Sequence, residues 1–465
     1  MNEYINIIGG GLAGCEAAYQ IAKRGIKVKL YEMKPKKFSP AHSNGNLAEI
    51  VCSNSFKSNL LTNACGLLKE ELRILDSLLI KIADNTKVPA GQALAVDRDK
   101  FSNKVTDAIN NNNLIEVIND EVVSKYDTNI DKNNKNIFLE DLIENSITII
   151  ATGPLTSDSL SIGIKKLTGE NELAFYDAAA PIVQKDSIDF SIAFYGDRYD
   201  EEKRKDETID EWLKRVNNNK SDYINLPMCK EEYETFVNEL VNAQIAELHN
   251  FEKRDIFEGC MPIEIMAKRG IDTLRFGPLK PMGFDDPRTA KRPYAVVQLR
   301  QDNAKASLYN LVGFQTNLKY GEQKRVFSMI PGLKDADFVK YGVMHRNTFI
   351  NSPELLDNTY NFKKKKNVFF AGQITGVEGY VESISSGFVA SINAVNMLKN
   401  DEKISFPIET MIGALANYIS TKNKNFQPMN ANVGIIPELN EKIKDKKKRY
   451  EKLANRSLRI LQKYN

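Results

Sequence analysis

Histidine is scarce in this chain of 465 residues: His42, His249 and His345 are all there are, and they lie far apart. No Cys or His pair has the spacing of a zinc ligand set, which speaks against a metal site. Cysteine is scarce too. Five, an odd number scattered along the chain, fit free thiols in a reducing cytoplasm better than a disulfide framework. No apolar run nears the ~20 residues that a membrane helix needs. The first residues run straight into an apolar strand pattern, without the regions of a secretory signal. A hydrophobic share of 42% with 9% aromatics excludes global disorder. The length suits roughly two or three domains.

Net charge is small as well, +3 from 64 Lys and Arg against 61 Asp and Glu. It is unevenly placed. Residues 442–465 carry ten basic and two acidic side chains, a local +8 that leaves −5 for residues 1–441. Such asymmetry raises the expectation of a polyanionic partner. From Lys446 the tail keeps helical spacing, with Tyr450, Leu453, Ser457, Leu461 and Tyr464 on one stripe. Lys448, Lys452, Arg456, Arg459 and Lys463 fall on another. One face could dock and the other meet phosphate, or the lysines could simply keep a surface helix soluble.

At the other end, the apolar run Glu3–Ile8 leads into Gly9-Gly10-Gly11-Leu12-Ala13-Gly14 and an Ala-rich helical stretch to about Lys23. A second apolar run, Ile26–Tyr31, ends in Glu32. Strand, G-x-G-x-x-G turn, helix, strand and acid together make a dinucleotide signature. The glycines admit a pyrophosphate to the backbone, the helix N-terminus faces it, and the acid accepts from ribose hydroxyls. Two further segments favour FAD over NAD. Ser146–Pro154 is a buried-type strand ending in Ala-Thr-Gly at Gly153. Asn367–Gln373 is a strand running into Gly372 and Gln373, then Gly376, Gly379 and a small-residue helix. The plainer reading of the latter is a tightly packed βα turn. The cofactor segments lie near both ends, so the expected architecture is α/β: a Rossmann-like FAD-binding domain from 1–155 and 326–441. An inserted α/β domain would fill 156–325, and a basic helix 442–465. The charged stretch Asp197–Tyr223, with the only tryptophan, Trp212, reads as a solvated excursion.

Two cysteines have contexts that look chemical. Cys52 sits where Glu49-Ile50-Val51 breaks into Ser53-Asn54-Ser55, and Cys260 lies between Gly259 and Pro262. Irregular backbone near polar groups can expose a thiolate, although an unpaired cysteine is most often just buried. Cys15, in the first cofactor helix, reads as packing. Residues 268–292 follow Cys260 with a net charge of +4, including Lys268, Arg269, Arg275 and Lys280. They would suit an anionic substrate, or form solvated loops.

At these residues the chain resembles a known family. Gly9–Gly14, Ala48–Ser55, Val88–Arg98, Ala151–Ser157, Tyr176–Asp186, Phe257–Gly270, Pro293–Asn303, Tyr341–Pro353, Phe370–Gly387 and Phe426–Val433 are similar to the folate- and FAD-dependent tRNA (uracil-5-)-methyltransferases, also called Gid or TrmFO. The resemblance covers almost the whole chain. It implies methylenetetrahydrofolate as one-carbon donor, FAD as carrier and hydride source, and NADH or NADPH as reductant. It implies Cys260 as the nucleophile on uracil and Cys52 as a second thiol beside the flavin. His345 would pack the folate ring, and Arg269, Lys452 and Arg456 would contact RNA. The expected product is 5-methyluridine in the tRNA T-loop. A uridine of 23S ribosomal RNA is the alternative, as is a small-molecule flavin oxidoreductase. The segment Pro40–Asn46 departs from the family's His-His-Thr-Asp-Lys-Phe run, and Phe56-Lys57 stands in place of Leu-Arg. Neither departure touches Cys52, Cys260 or the glycines.

Overall fold

The computed structural model describes residues 3–131, 134–169, 173–198, 208, 211, 222–246, 261–286, 289, 291–342, 344–423 and 426–464. Two sheets organise them. Their strands are β1 (Tyr4–Ile8), β2 (Lys27–Glu32), β3 (Ile115–Asn119), β4 (Thr148–Ile150), β5 (Ile182–Gln184), β6 (Phe194–Tyr195), β7 (Tyr223–Met228), β8 (Ala295–Gln301), β9 (Leu308–Leu311), β10 (Phe338–Lys340) and β11 (Val368–Phe370). The helices that matter for the site are α1 (Leu12–Lys23), α2 (Ala64–Ile74), α3 (Lys230–Asn242), α4 (Ile263–Lys268), α5 (Tyr380–Lys399), α6 (Met411–Ser420) and α7 (Lys446–Leu461).

The first sheet has the order β11-β4-β1-β2-β3 and is parallel throughout. Its centre is apolar on both faces because helices cover both: Ile5, Ile7, Ile149, Ile150, Phe369 and Phe370 are fully buried. On one face α1 and α5 cross closely. A side chain at Gly387 would put its Cβ 2.2 Å from the Ala13 carbonyl oxygen, so small residues set this approach. Chain order reverses between β2 and β4, on either side of β1. In open α/β sheets a ligand crevice forms at that switch, beyond the strand C-termini.

The second sheet, order β6-β7-β8-β9-β5-β10, is antiparallel. α3 lays Tyr233, Phe236, Val237 and Leu240 into the same core as Ile224, Leu226, Val297 and Leu299 from β7 and β8. A two-stranded antiparallel ribbon, Leu173–Ala178 with Met344–Phe349, leads into and out of this unit. The core limits differ from the expected 156 and 325. Leu160 and Ile164, on helix Asp158–Thr168, belong to the first core, whereas Val326, Phe327, Ile330, Leu333 and Ala336 belong to the second. Apolar packing, not the distance between cofactor motifs, sets the division. Of the Asp197–Tyr223 excursion, Trp212 and most of its neighbours lie outside the described residues.

The basic tail docks on the first unit. Leu453, Ala454, Ser457 and Leu461 form the buried face of α7, while Tyr464 is 40% exposed. Beneath it, Glu71 of α2 accepts from the N–H groups of Met411 (2.7 Å) and Ile412 (2.8 Å), the opening residues of α6. It also accepts from the Ser457 hydroxyl. One carboxylate thus satisfies orphan donors of α6 and ties α7 to α2. Among the described residues no helix is long and apolar enough to cross a membrane.

Candidate active site

The cleft at the switch point spans about 1120 Å³, its solvent mouth included, and is lined by Gly9–Ala13, Glu32–Lys34, Ala151–Ser157, Gly372 and Gln373, among others. Its floor is built by glycine. Gly9 has φ +105°, and a Cβ there would come 2.5 Å from the Ala151 carbonyl oxygen. A Cβ on Gly14 would sit 1.9 Å from the Gly9 carbonyl oxygen, so the third glycine lets helix α1 close on the strand–helix turn. Gly11 differs: a Cβ there would meet nothing within 4 Å, which marks open space at the helix N-terminus. Gly11 is also the N-cap of α1 and offers no side chain to the first N–H groups. Glu32, ending β2, takes N–H bonds from Gly10 (2.8 Å) and Lys34 (3.0 Å), which fix its carboxylate at the cleft wall. This combination fits a dinucleotide: an uncovered helix N-terminus for the pyrophosphate and an oriented acid for the ribose. The altered segment Pro40–Asn46 adds His42 to the wall, with Ser39 Oγ 2.5 Å from Nδ1. Burial pushes this imidazole below its ordinary value.

A second cavity of about 1210 Å³ adjoins the first, sharing Val51, Pro154, Leu155, Gln373 and Tyr380. Its wall includes Cys52, Ser53, Arg300, Asn347 and Glu382. The Cys52 loop is irregular backbone, and side chains from distant elements satisfy it. The N–H groups of Cys52 and Ser53 both donate to the Tyr380 hydroxyl, at 3.0 and 3.2 Å. Arg98 donates to the carbonyls of Ile50 (2.9 Å) and Cys52 (3.0 Å), and its charge is balanced by Asp302 at 3.1 Å. Arg300 donates to Ser53 Oγ (2.7 Å) and Asn54 Oδ1 (3.1 Å). Burial lowers the Arg300 and Lys340 values; for Arg98 burial is outweighed, chiefly by Asp302, and the value is raised. The Cys52 sulfur contributes to the field at all three cations. Sequence reasoning missed this clamp. Arg98, Arg300 and Tyr380 stand inside the family-like segments, but nothing local ties them to Cys52.

A family model described as glucose inhibited division protein A matches residues 4–402. A protein of Acetivibrio thermocellus named methylenetetrahydrofolate–tRNA-(uracil-5-)-methyltransferase TrmFO is 58% identical over 465 residues, covering 100% of this chain and 99% of its own length. One of the same name from Enterococcus faecalis is 54% identical over 461 residues, covering 99% and 98%. The chain belongs to the TrmFO family. GidA of Aquifex aeolicus, in its form I crystal, shares the fold, with a TM-score of 0.65 at 17% identity over 99% of this chain and 76% of that one. The Rossmann-like FAD-binding fold expected from the glycine motifs is thus the fold of the molecule.

The other TrmFO-like positions fall in different places. Cys260 lies outside the described residues. His345 is on the Met344–Phe349 strand, opposite Asp177 in register, and its side chain lies outside the description. Arg269 closes α4 as its exposed C-cap. Lys452 pairs with Glu441 at 2.7 Å on the outer face of α7. Arg456 is half-buried, donating to the carbonyls of Pro437 (2.5 Å) and Glu438 (3.0 Å), which ties its guanidinium to the segment before α7. Of the remaining cysteines, Cys15 is buried, its thiol held on the Gly10 carbonyl at 3.2 Å and pushed well up by burial. Cys65 is also buried and pushed up to about 12 by desolvation, and Cys229 is exposed.

Proposed function

We propose that this protein is a methylenetetrahydrofolate- and FAD-dependent RNA (uracil-5-)-methyltransferase that forms 5-methyluridine in the T-loop of tRNA. The observation that carries the reading is the junction of the two cavities. Cys52 lines a chamber that opens onto the glycine-floored cleft, in a chain 58% identical along its length to a protein bearing that name. The cleft residues Gly9–Gly14, Glu32, Gly153, Gly372 and Gln373 would hold FAD. A bound flavin, kept reduced by NADH or NADPH, supplies the two-electron reduction that takes the transferred carbon to the methyl level.

The chain's own residues do the rest. A uracil ring is a poor nucleophile at C5. Attack of the Cys260 thiolate at C6 moves the C5–C6 electron pair toward O4 and makes C5 able to bond to the one-carbon unit. Loss of the C5 proton, release of the one-carbon unit from its carrier with the two-electron reduction, and departure of the thiolate would then leave 5-methyluracil with its ring double bond restored. Cys52, clamped by Arg98 and Arg300 at the cavity wall, is the second thiol and serves proton transfer at that face. His345 packs the folate ring. The target uridine must leave its stack to reach such a chamber, at a cost of a few kcal/mol. Exposed cations of α7 and of the segment after α4 would hold the RNA backbone. The free thiols fit a reducing compartment, and we place the reaction in the cytoplasm.

The deciding experiment offers the FAD-loaded protein separated tRNA and ribosomal RNA with methylenetetrahydrofolate, under NADH and under NADPH. Methyl gained by tRNA at a single T-loop uridine is expected. Methyl in ribosomal RNA alone would shift the target, and none in either would overturn the reading. Substituting Cys260→Ala should abolish the covalent adduct with RNA carrying 5-fluorouridine. An adduct that persists assigns the nucleophile elsewhere.

A further inference from the structure

A ladder of aromatic rings leads outward from the core of the second sheet. Phe327 is buried and packs on Phe338 of the edge strand β10, with ring centroids 6.4 Å apart. Phe338 stacks on Tyr341 at 5.8 Å and 12°, and Tyr341 stacks on Tyr320 at 5.4 Å and 27°. This last ring, at the start of helix Tyr320–Phe327, is 58% exposed, and among the described residues no further ring stacks on it. Buried Gln323 fixes the ladder. Its amide donates to the carbonyls of Leu318 (2.7 Å) and Gly342 (2.8 Å) and accepts from the Gly342 N–H (2.8 Å), which holds the backbone beside Tyr341 against the helix. Near-parallel rings that end in solvent form a platform which another flat ring can extend.

The ladder stands beside the Cys52 chamber. Gly342, next to Tyr341, packs so tightly that a Cβ would come 2.5 Å from the carbonyl oxygen of Ala179, a residue of the chamber wall. On the other side of Tyr341, Lys340 donates to the carbonyl of Val51 (3.5 Å), where the two cavities join. The surroundings favour an anion. Lys319 and Lys324 are exposed beside the outermost ring, while Glu322 between them is taken by Arg325 (2.8 Å). A flat open ring among cations, next to a chamber for a base, suits a nucleic-acid strand better than a protein surface. A uridine that leaves its stack also uncovers the base beside it. We propose that Tyr320 is a positioning residue that stacks on the base next to the target uridine while that uridine occupies the Cys52 chamber. The inference rests on the proposed RNA substrate, and adds to it a contact apart from α7 and the segment after α4, made to a base and not to phosphate.

The test uses the full-length, FAD-loaded protein and a uridine-containing T-stem-loop RNA, with dissociation constants from filter binding over a range of salt. Tyr320→Ala should weaken binding at least about fivefold. The slope of log K against log salt should not change, because no phosphate contact is lost. Tyr320→Trp, which keeps a flat ring, should stay within about twofold of wild type. An RNA made abasic on one side of the target uridine should lose affinity for wild type and almost none for Tyr320→Ala, and the abasic position that does so names the stacked base. A Tyr320→Ala constant within about twofold of wild type, a flattened salt slope, equal losses in Tyr320→Ala and Tyr320→Trp, or abasic losses that add in full would each overturn the inference. So would a change of oligomeric state on gel filtration, which would give the ladder to a second copy of the chain. Should Tyr320→Ala fail to fold, Tyr320→Leu removes the flat face while keeping apolar bulk, and the same outcomes apply. RNA that binds wild type but is never methylated would sink the proposed reaction and leave this comparison intact.

Discussion

Adding one methyl group at Gly11 and one at Gly14 should have opposite structural consequences. At Gly14 the Cβ lands 1.9 Å from a backbone oxygen, so Gly14→Ala forces the strand–helix turn apart and should lower Tm and flavin content together. At Gly11 the Cβ enters open cleft, so Gly11→Ala should leave the apoprotein's Tm within a degree or two while weakening FAD at least about tenfold. Absorbance at 450 nm and a thermal melt of the apoprotein check both, and an unaltered flavin content in Gly11→Ala would remove the pyrophosphate from that place. Arg300 makes the second residue-scale prediction. Arg300→Ala leaves Ser53 and Asn54 without their buried donor and should cost about 2–3 kcal/mol. It should also slow iodoacetamide alkylation of Cys52, because one of three cations near the sulfur is gone. Faster alkylation would show that the clamp mainly shields the thiol. These residues differ in how far the sequence reveals them. Gly14 closes on Gly9, five positions away, so a local motif exposes it. The Cys52 clamp spans 46 residues to Arg98, 247 from Ser53 to Arg300 and 289 from Val51 to Lys340. Only the folded chain brings such groups together.

Between elements, the least expected connection is Glu71, buried under α6 and α7. Desolvation pushes its carboxyl up to about 7, against the helix N–H groups and the Ser457 hydroxyl that pull it down. A carboxyl raised in the folded state binds its proton more tightly there than in the unfolded chain. Its contribution is therefore full below about pH 4.5 and is lost as pH rises through about 7. Denaturant melts of wild type should lose about 3 kcal/mol more than those of Glu71→Gln across that interval. Parallel pH profiles for the two proteins would mean that the N-terminus of α6 keeps Glu71 ionised. Element identity was legible where burial is uniform: β1, β4 and β11 are short apolar runs covered on both faces, and each reads as a strand. Unit boundaries were not. Helix Asp158–Thr168 and the segment Val326–Phe338 carry ordinary amphipathic patterns that name no partner; the helix packs on Val122–Val123 and Leu139–Asn145 and so joins the first core, whereas Phe327 packs on Phe314 and joins the second.

For the molecule as a whole, near-neutrality conceals a division of labour along α7. Its inward face of Leu453, Ser457 and Leu461 belongs to the first core, so deleting the tail would disturb Glu71 and α6 along with any RNA contact. Replacing exposed cations isolates the electrostatic role. Lys447, Lys448 and Arg459 are exposed, and none of them is part of the buried face. The triple change Lys447→Gln, Lys448→Gln and Arg459→Gln should leave stability within about 0.5 kcal/mol. If all three meet phosphates, the slope of log K for tRNA against log salt should fall by about 2–3, because each lost contact releases one fewer counterion. The same change made away from α7 in the chain, at Lys364, Lys365 and Lys366 on the turn before β11, controls for net charge alone. A matching fall in both variants would mean that RNA senses only the total charge, and α7 would then be a docked, solubilising helix. A fall confined to the α7 variant makes the tail a grip, with its apolar face anchored on α2 and its basic face turned to the nucleic acid.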